Sequence, residues 1–188
     1  RQEYKHLVLG MIFLKYISDT FIEQQKKVLA MVSNPESDYY LGDDPKDHQE
    51  ALEDRDYYTQ ANVFWVPTDA RWESLRDKAP QPEIGQLIDK ALVAIENENP
   101  TLRGKLDKRF GAAQLEPGRM GELVNLISTI GFGEGEKAGD VLGEVYEYFL
   151  GQFASAEGKK GGQFYTPAHV VKTPVSYTHL RAHETEAD

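Results

Sequence analysis

The stretch YKHLVLGMIFLKYISDTFIEQQKKVL, residues 4–29, decides the fold. Within it Tyr4, Leu7, Met11, Leu14, Ile17, Phe21 and Val28 recur mostly at three- and four-residue steps, the spacing of one face of an α-helix. Lys5, Lys15, Asp19 and Glu23 fall mostly between them, so the stretch predicts a long amphipathic helix with its apolar face on a core. Gly10 lowers intrinsic helicity or allows close packing of another helix. The longest apolar run, residues 7–14, is too short for a membrane span, which needs about 20 residues. No small-residue cleavage site follows it, so it is no signal peptide either. The chain opens on Arg1 rather than Met and reads as a piece of something longer.

Working outward, residues 33–58 are polar and turn-rich (Asn34-Pro35, Gly42, Asp43-Asp44, Pro45), with one short helix expected around 47–52. Val63-Phe64-Trp65-Val66-Pro67 is aromatic and β-branched but stopped by proline, and reads as a short strand or extended segment. Thr68 or Asp69 is placed to cap a short helix carrying Trp72 and Leu75. Residues 82–98 put Ile84, Leu87, Ile88, Ala91, Leu92 and Ile95 on one face after a first-turn Pro82 and end at Asn99-Pro100, a helix with both boundaries marked. Residues 102–117 are mixed and basic (Arg103, Lys105, Lys108, Arg109) and read as loop with a short helix. Leu123, Leu126, Ile127 and Ile130 mark a further helix, closed by Gly131, Gly133 and Gly135. Asp140 then caps a helix with Leu142, Val145, Tyr146, Phe149 and Phe153 on one face. The fold class is mainly α: a helical domain over residues 1–156, then a basic, glycine-rich joint at 157–162.

Composition narrows the chemistry. The 188 residues hold 21 Lys+Arg against 31 Asp+Glu, a net charge of −10, and no cysteine. Without cysteine there is no disulfide framework, no thiol nucleophile and no Cys-based metal site, which fits a reducing cytosol. The acidity argues against a domain that grips phosphate backbones unaided. The histidines (His6, His48, His169, His179, His183) are scattered. Only His179 and His183 share a helical metal spacing, and both lie in an anomalous tail. Asp43-Asp44 and Glu96/Glu98 read as solvated carboxylates. Gly131-Phe132-Gly133-Glu134-Gly135 follows a helix rather than a strand and carries acids that would repel phosphate, so it reads as a helix terminator. Asn34-Pro35 and Asn99-Pro100 lack the following proline and aromatic residue that an amino-methyltransferase needs, and read as turns.

One segment stands apart: Lys160-Gly161-Gly162-Gln163-Phe164-Tyr165-Thr166-Pro167-Ala168-His169. Thr166-Pro167 is a helix start, a capping hydroxyl followed by a preset φ. Gln163, Phe164 and Tyr165 offer an amide and two aromatic faces that could hold an adenine or lie near a sulfonium. On spacing alone a plain capped helix is the favoured reading of the segment.

This segment, with Asp140-Val141-Leu142-Gly143-Glu144-Val145-Tyr146-Glu147-Tyr148-Phe149-Leu150 before it, resembles the modification (M) subunit of type I restriction-modification enzymes. Glu3-Tyr4-Lys5-His6-Leu7-Val8-Leu9-Gly10, Phe13-Leu14-Lys15-Tyr16-Ile17-Ser18-Asp19, Val63-Phe64-Trp65-Val66-Pro67, Ala70-Arg71-Trp72 and Pro82-Glu83-Ile84-Gly85 agree in the same order. The resemblance runs from about residue 2 to 172. It implies a helical N-terminal domain, truncated here at the start of a Rossmann-like catalytic domain. The family's activity is methyl transfer from S-adenosyl-L-methionine to adenine N6 in DNA. It further implies that Gln163, Phe164, Tyr165, Thr166, Pro167 and Ala168 are cofactor contacts, and that the glycine-rich cofactor loop and Asn-Pro-Pro-aromatic motif lie downstream, leaving this piece inactive by itself. Implied partners are DNA, a specificity (S) subunit, a second M subunit and a restriction (R) subunit, in the cytoplasm and with no membrane. Arg103, Lys105, Lys108, Arg109, Lys159 and Lys160 are the candidate DNA-facing cations, with solvated surface as the plainer reading for most. A non-catalytic helical bridging module and a single-chain restriction–methylation enzyme are the alternatives.

The end departs from this pattern. Residues 157–173 read as linker and start of the methyltransferase domain. From about Pro174, Val175-Ser176-Tyr177-Thr178-His179-Leu180-Arg181-Ala182-His183 resembles translated sequencing adapter, so 174–188 is expected to be non-native.

Overall fold

The apolar stripe of the opening stretch has to be covered, and the fold is what covers it. A computed structural model of the chain describes residues 2–131. The stripe forms α1, Gln2–Ser33, a single 32-residue helix. Leu7, Met11, Leu14, Ile17, Phe21, Val28 and Val32 are buried along it. Short helices follow: α2 (Pro45–Leu52), α3 (Asp56–Thr59), α4 (Trp72–Asp77), α5 (Ile84–Glu98) and α6 (Arg119–Ile127), with 3-10 turns at Thr68–Ala70 and Pro100–Leu102. Helices α2 and α3 pack on the C-terminal part of α1, while α4 and α6 close its middle and contact α5. The fold class expected from the sequence is what forms, and no strand occurs among the described residues. The expected helix at residue 140 and the boundary near 156 lie outside them.

At the core Phe21, Tyr58 and Trp65 meet as a triad. Phe21 stacks on Tyr58 at 4.9 Å, and Trp65 stands edge-on to both at 5.1 and 5.0 Å. The Arg71 guanidinium lies 4.5 Å above Phe21 and that of Arg55 4.2 Å above Trp65, so cations close two outer ring faces. Burial pushes the Tyr58 hydroxyl up to about 12, which keeps it a neutral donor to Leu52 O at 2.9 Å. Burial also lowers the Arg71 guanidinium, which donates from Nε to Val66 O at 3.0 Å.

The segment 63–67 is extended, but among the described residues no second strand lies beside it. The side-chain amide of Asn99 stands in for one. Asn99 Oδ1 accepts from Trp65 N at 3.0 Å, and its Nδ2 donates to Trp65 O at 2.9 Å and Ile95 O at 2.7 Å. One buried amide thus satisfies both backbone groups of Trp65, groups that would otherwise cost a lost hydrogen bond each.

Three local expectations change. Neither Thr68 nor Asp69 caps α4, because both are taken up in the 3-10 turn, and the helix starts after Arg71 with no local side-chain cap. Ser18 of α1, 54 positions earlier, accepts from Trp72 N at 2.7 Å instead. Pro82 lies ahead of α5, in a turn closed by Ile84 N to Gln81 O at 3.1 Å. The short helix expected within 102–117 does not form; the 3-10 turn Pro100–Leu102 precedes that stretch.

The indole of Trp72 continues the contact, donating to Ser128 Oγ at 2.8 Å, which passes a hydrogen bond to Val124 O. On α6, Gly121 lies against the turn after α4: a Cβ there would stand 2.4 Å from Ala79 O. Ser18→Ala should therefore cost about 1–3 kcal/mol by leaving a buried N–H unmet. Gly121→Ala should cost at least as much by forcing α6 off its neighbour, and Gly131→Ala, with open space around it, should be near neutral. Urea unfolding of the three variants measures this order, and an unchanged midpoint for Ser18→Ala would show that the cap carries no stability.

Candidate functional site

Of the residues the sequence marked for chemistry, Gln163, Phe164, Tyr165, Thr166, Pro167 and Ala168 lie outside the described residues, as do Lys159 and Lys160. The basic loop holding Arg103, Lys105, Lys108 and Arg109 lies within them, and it is built from α5 upward.

On α5, Gly85, Asp89 and Glu96 fall within about 40° of one another at 100° per residue. Asp89 accepts from Phe110 N at 2.9 Å and Gly111 N at 2.8 Å. Glu96, 7% exposed, accepts from Leu106 N at 3.1 Å and Lys108 Nζ at 2.9 Å. Gly85 lets the loop backbone approach, since a Cβ there would stand 2.6 Å from Phe110 O. Phe110 is buried and reaches across to α1, where its ring occupies the space beside Gly10. Gly10 therefore serves close packing, against an aromatic ring from a loop rather than a second helix. The loop is pinned at two points by carboxylates two helical turns apart.

This pinning divides the four cations. Lys108 is consumed by Glu96. Arg109 forms a two-pronged pair with Asp107, Nε to Oδ1 at 2.9 Å and Nη2 to Oδ2 at 2.8 Å. His6 Nδ1 of α1 approaches the same carboxylate at 3.4 Å. Arg103 and Lys105 are exposed, and among the described residues neither has an ion-pair partner. They flank Gly104, which turns the chain at φ +74°.

Electrostatics follow the contacts. Burial alone would raise the Glu96 carboxyl. The Lys108 hydrogen bond, the N–H groups of Leu106 and Gly104, and the Lys108 charge outweigh it and hold the group below its ordinary 4.5. Asp107 is held low chiefly by its hydrogen bond from Arg109, against a burial effect of opposite sign.

The remaining candidates resolve into structure. Glu96 is not the solvated carboxylate the sequence suggested, because α5 turns it under the loop, while Glu98 pairs with Arg55 at 2.8 Å. Asp44 caps α2 through Lys46 N at 3.0 Å, and Asp43 accepts from the Tyr40 hydroxyl. Asn34 forms the expected turn, accepting from Glu36 N at 2.9 Å. His48 contacts Gly42 O at 2.7 Å. Among the described residues no three metal-ligating side chains come together, and no helix is long and apolar enough to cross a membrane. Sequence reading missed Asp89 and Glu96 as the loop's anchors. The available signal was two carboxylates seven positions apart beside a helix's apolar face, followed by a basic loop.

Comparison with known proteins gives two family matches: HsdM N-terminal domain over residues 1–129, and N-6 DNA Methylase over residues 137–187. The chain is 37% identical over 171 residues to the type I restriction enzyme MjaIX methylase subunit of Methanocaldococcus jannaschii, covering 90% of this chain and 30% of that protein. It is 39% identical over 126 residues to the HindI methylase subunit of Haemophilus influenzae, covering 56% of this chain and 28% of that protein. The StySPI methylase subunit of Salmonella potsdam is 24% identical over 117 residues, 61% of this chain and 22% of that protein. The chain thus spans less than a third of the length of the curated relatives it matches.

Because Glu96 is held low in the folded state, its contribution to stability is complete above its ordinary 4.5 and is lost as pH falls through the lower folded value. Glu96→Ala should cost about 2 kcal/mol at pH 7, since it strands Leu106 N and the Lys108 ammonium. It should also flatten the acid limb of the stability profile. Denaturant titrations at a series of pH values from neutral to acid test both. An acid limb identical to that of the unsubstituted chain would remove Glu96 from this role.

Proposed function

The chain belongs to the HsdM N-terminal domain family and is the N-terminal part of a type I restriction-modification methylase subunit, and from that premise we propose the activity of the whole protein: methyl transfer from S-adenosyl-L-methionine to adenine N6 in DNA. The observation that carries this reading is the similarity to a methylase subunit over 90% of the chain, joined to the N-6 DNA Methylase match that begins at residue 137. That match also favours an enzyme over a purely bridging helical module.

In this reading the helical part continues to about Ala156, and Gln163, Phe164, Tyr165, Thr166, Pro167 and Ala168 are cofactor contacts. S-adenosyl-L-methionine supplies the methyl group when bound. The residues of this chain that would hold it are Gln163 through its amide and Phe164 and Tyr165 through their rings, and Thr166-Pro167 has the chemistry of a helix start. The catalytic Asn-Pro-Pro-aromatic motif lies downstream. Around this enzyme we place DNA, a specificity subunit, a second M subunit and a restriction subunit, in the cytoplasm. We also read residues from about Pro174 as non-native, although the methylase match extends to residue 187. Resequencing across codon 174 decides that point, and an unchanged tail within an intact gene overturns it.

In the full-length protein Tyr165→Ala or Thr166→Ala should weaken S-adenosyl-L-methionine binding about tenfold by calorimetry, the loss of roughly 1.4 kcal/mol of contact. Unchanged affinity would take those residues out of the site. The 188-residue chain alone should show no methyl transfer to DNA in a radiolabel assay, and turnover would mean the catalytic centre has been misplaced.

A further inference from the structure

We propose that the outer stripe of α1, formed by Leu9, Phe13 and Tyr16, seats residues 140–153 of this same chain, which pack on it through Leu142, Val145, Tyr146, Phe149 and Phe153. The inference concerns how the chain continues past α6 and does not depend on the methylase reading.

The first observation is a second apolar face on α1. At 100° per residue Leu9, Phe13 and Tyr16 fall within about 60° of one another, on the side opposite the buried Leu7, Met11, Leu14 and Ser18. Leu9 is 47% exposed. Phe13 and Tyr16 are half-buried, with ring centroids 6.1 Å apart and planes tilted by 37°. A helix that covered a core through one face alone would carry polar residues on this side. Beyond the two ends of the stripe, on the same side of the helix, stand the exposed cations Lys5 and Lys27.

The second is the place where the described chain ends. Ser128 accepts from the Trp72 indole at 2.8 Å, and Trp72 N donates to Ser18 of α1 at 2.7 Å. Ile130 is buried, and Gly131 has open space around it. The chain therefore leaves α6 beside the middle of α1. From Gly131 to Asp140 there are nine steps, which reach about 30 Å at 3.3–3.6 Å per residue. A helix with its side chains is about 10–12 Å across, so this reach carries the chain round α1 to its outer side.

The third is the pattern of the segment itself, which lies outside the described residues. Its sequence places Leu142, Val145, Tyr146, Phe149 and Phe153 within about 100° at helical spacing, and Asp140, Glu144 and Glu147 on the opposite side. Helices of about 12–15 residues are marginal in water by themselves, so this one needs an apolar surface to lie on. Residues 138–156 carry those three acids and no Lys or Arg, a charge opposite to that of Lys5 and Lys27. The other exposed apolar side chains suit it less. Tyr39 and Leu41 lie within 36–56, where nine exposed carboxylates would repel an acidic segment. Leu29 and Val93 have exposed polar residues as helical neighbours, Lys26 and Ser33 for the one, Lys90 and Asn97 for the other. A tether of eight residues also gives an effective concentration on the order of mM, which favours this segment over a separate chain. Docked in this way, it starts the joint at 157–162 from a fixed point on α1.

The 188-residue chain has no cysteine, so introduced pairs report without background. Leu9→Cys is combined in turn with Leu142→Cys, Val145→Cys, Tyr146→Cys and Phe149→Cys, oxidised, and read on non-reducing gels. A disulfide closes only when the Cβ atoms come within about 4.5 Å, so at least one pair should link within the monomer. Leu9→Cys with Glu147→Cys, from the acidic side of the segment, should not link. Absence of a link in all four pairs overturns the proposal, as does a Glu147→Cys link as complete as the others. Links found only at doubled mass overturn it too and give the stripe to a second copy of the chain. Independently, Leu9→Asp should speed hydrogen exchange of the 140–153 amides about tenfold while leaving those of α5 as they were. Unchanged exchange in 140–153 would show that the segment does not rest on Leu9.

Discussion

The apolar seam of α1 is the constraint on which the rest of the described structure depends. A 32-residue helix with a buried face cannot stand alone in water, and the pieces that cover it are too short to be stable without it. Helix α3 has four residues and α4 six. Of helices α2 to α6, α3, α4, α5 and α6 lack a local side-chain cap, and α2 has its own, from Asp44. For α4 the missing acceptor comes from α1 itself, through Ser18. The short elements are thus held by a helix far away in sequence, which makes the domain a single cooperative unit and not a string of local structures.

The same economy of polar groups recurs wherever backbone is buried without regular partners. Asn99 serves the extended strip at Trp65, and Asp89 and Glu96 serve the loop over α5. In each case one side chain meets two or more backbone or ammonium groups, so burial proceeds without stranded donors. For the loop this has a chemical result. Fixing the backbone and neutralising two of four cations leaves the other two facing solvent. Glu96 takes part in both, accepting from Leu106 N and pairing with Lys108.

Much of this was legible in the residues. The three-and-four spacing of 4–29 and 82–98 announced α1 and α5, and apart from the partly buried Tyr4 and Leu87 their named apolar positions are buried in the core. The extended character of 63–67 was legible from its aromatic and β-branched run ended by Pro67, and the turn at Asn34 from its Asn-Pro pair. Family membership was legible as well, because it rests on strings of residues in order. What failed did so for one reason. Thr68 and Asp69 have the chemistry of a cap, and Glu96 that of a solvated acid, but local chemistry cannot say which partner lies beside a residue after the chain folds.

By itself the sequence determined the helical class, the core faces of the long helices and the family, since periodicity and ordered motifs are properties of the chain. Only the tertiary structure decided that Ser18 would cap α4, that Asn99 would replace a neighbouring strand, and that Glu96 would take Lys108 of the basic loop. Those outcomes depend on distances between residues 12 to 54 positions apart in sequence. A hydrogen bond or ion pair forms over about 3 Å of space, whatever the separation along the chain.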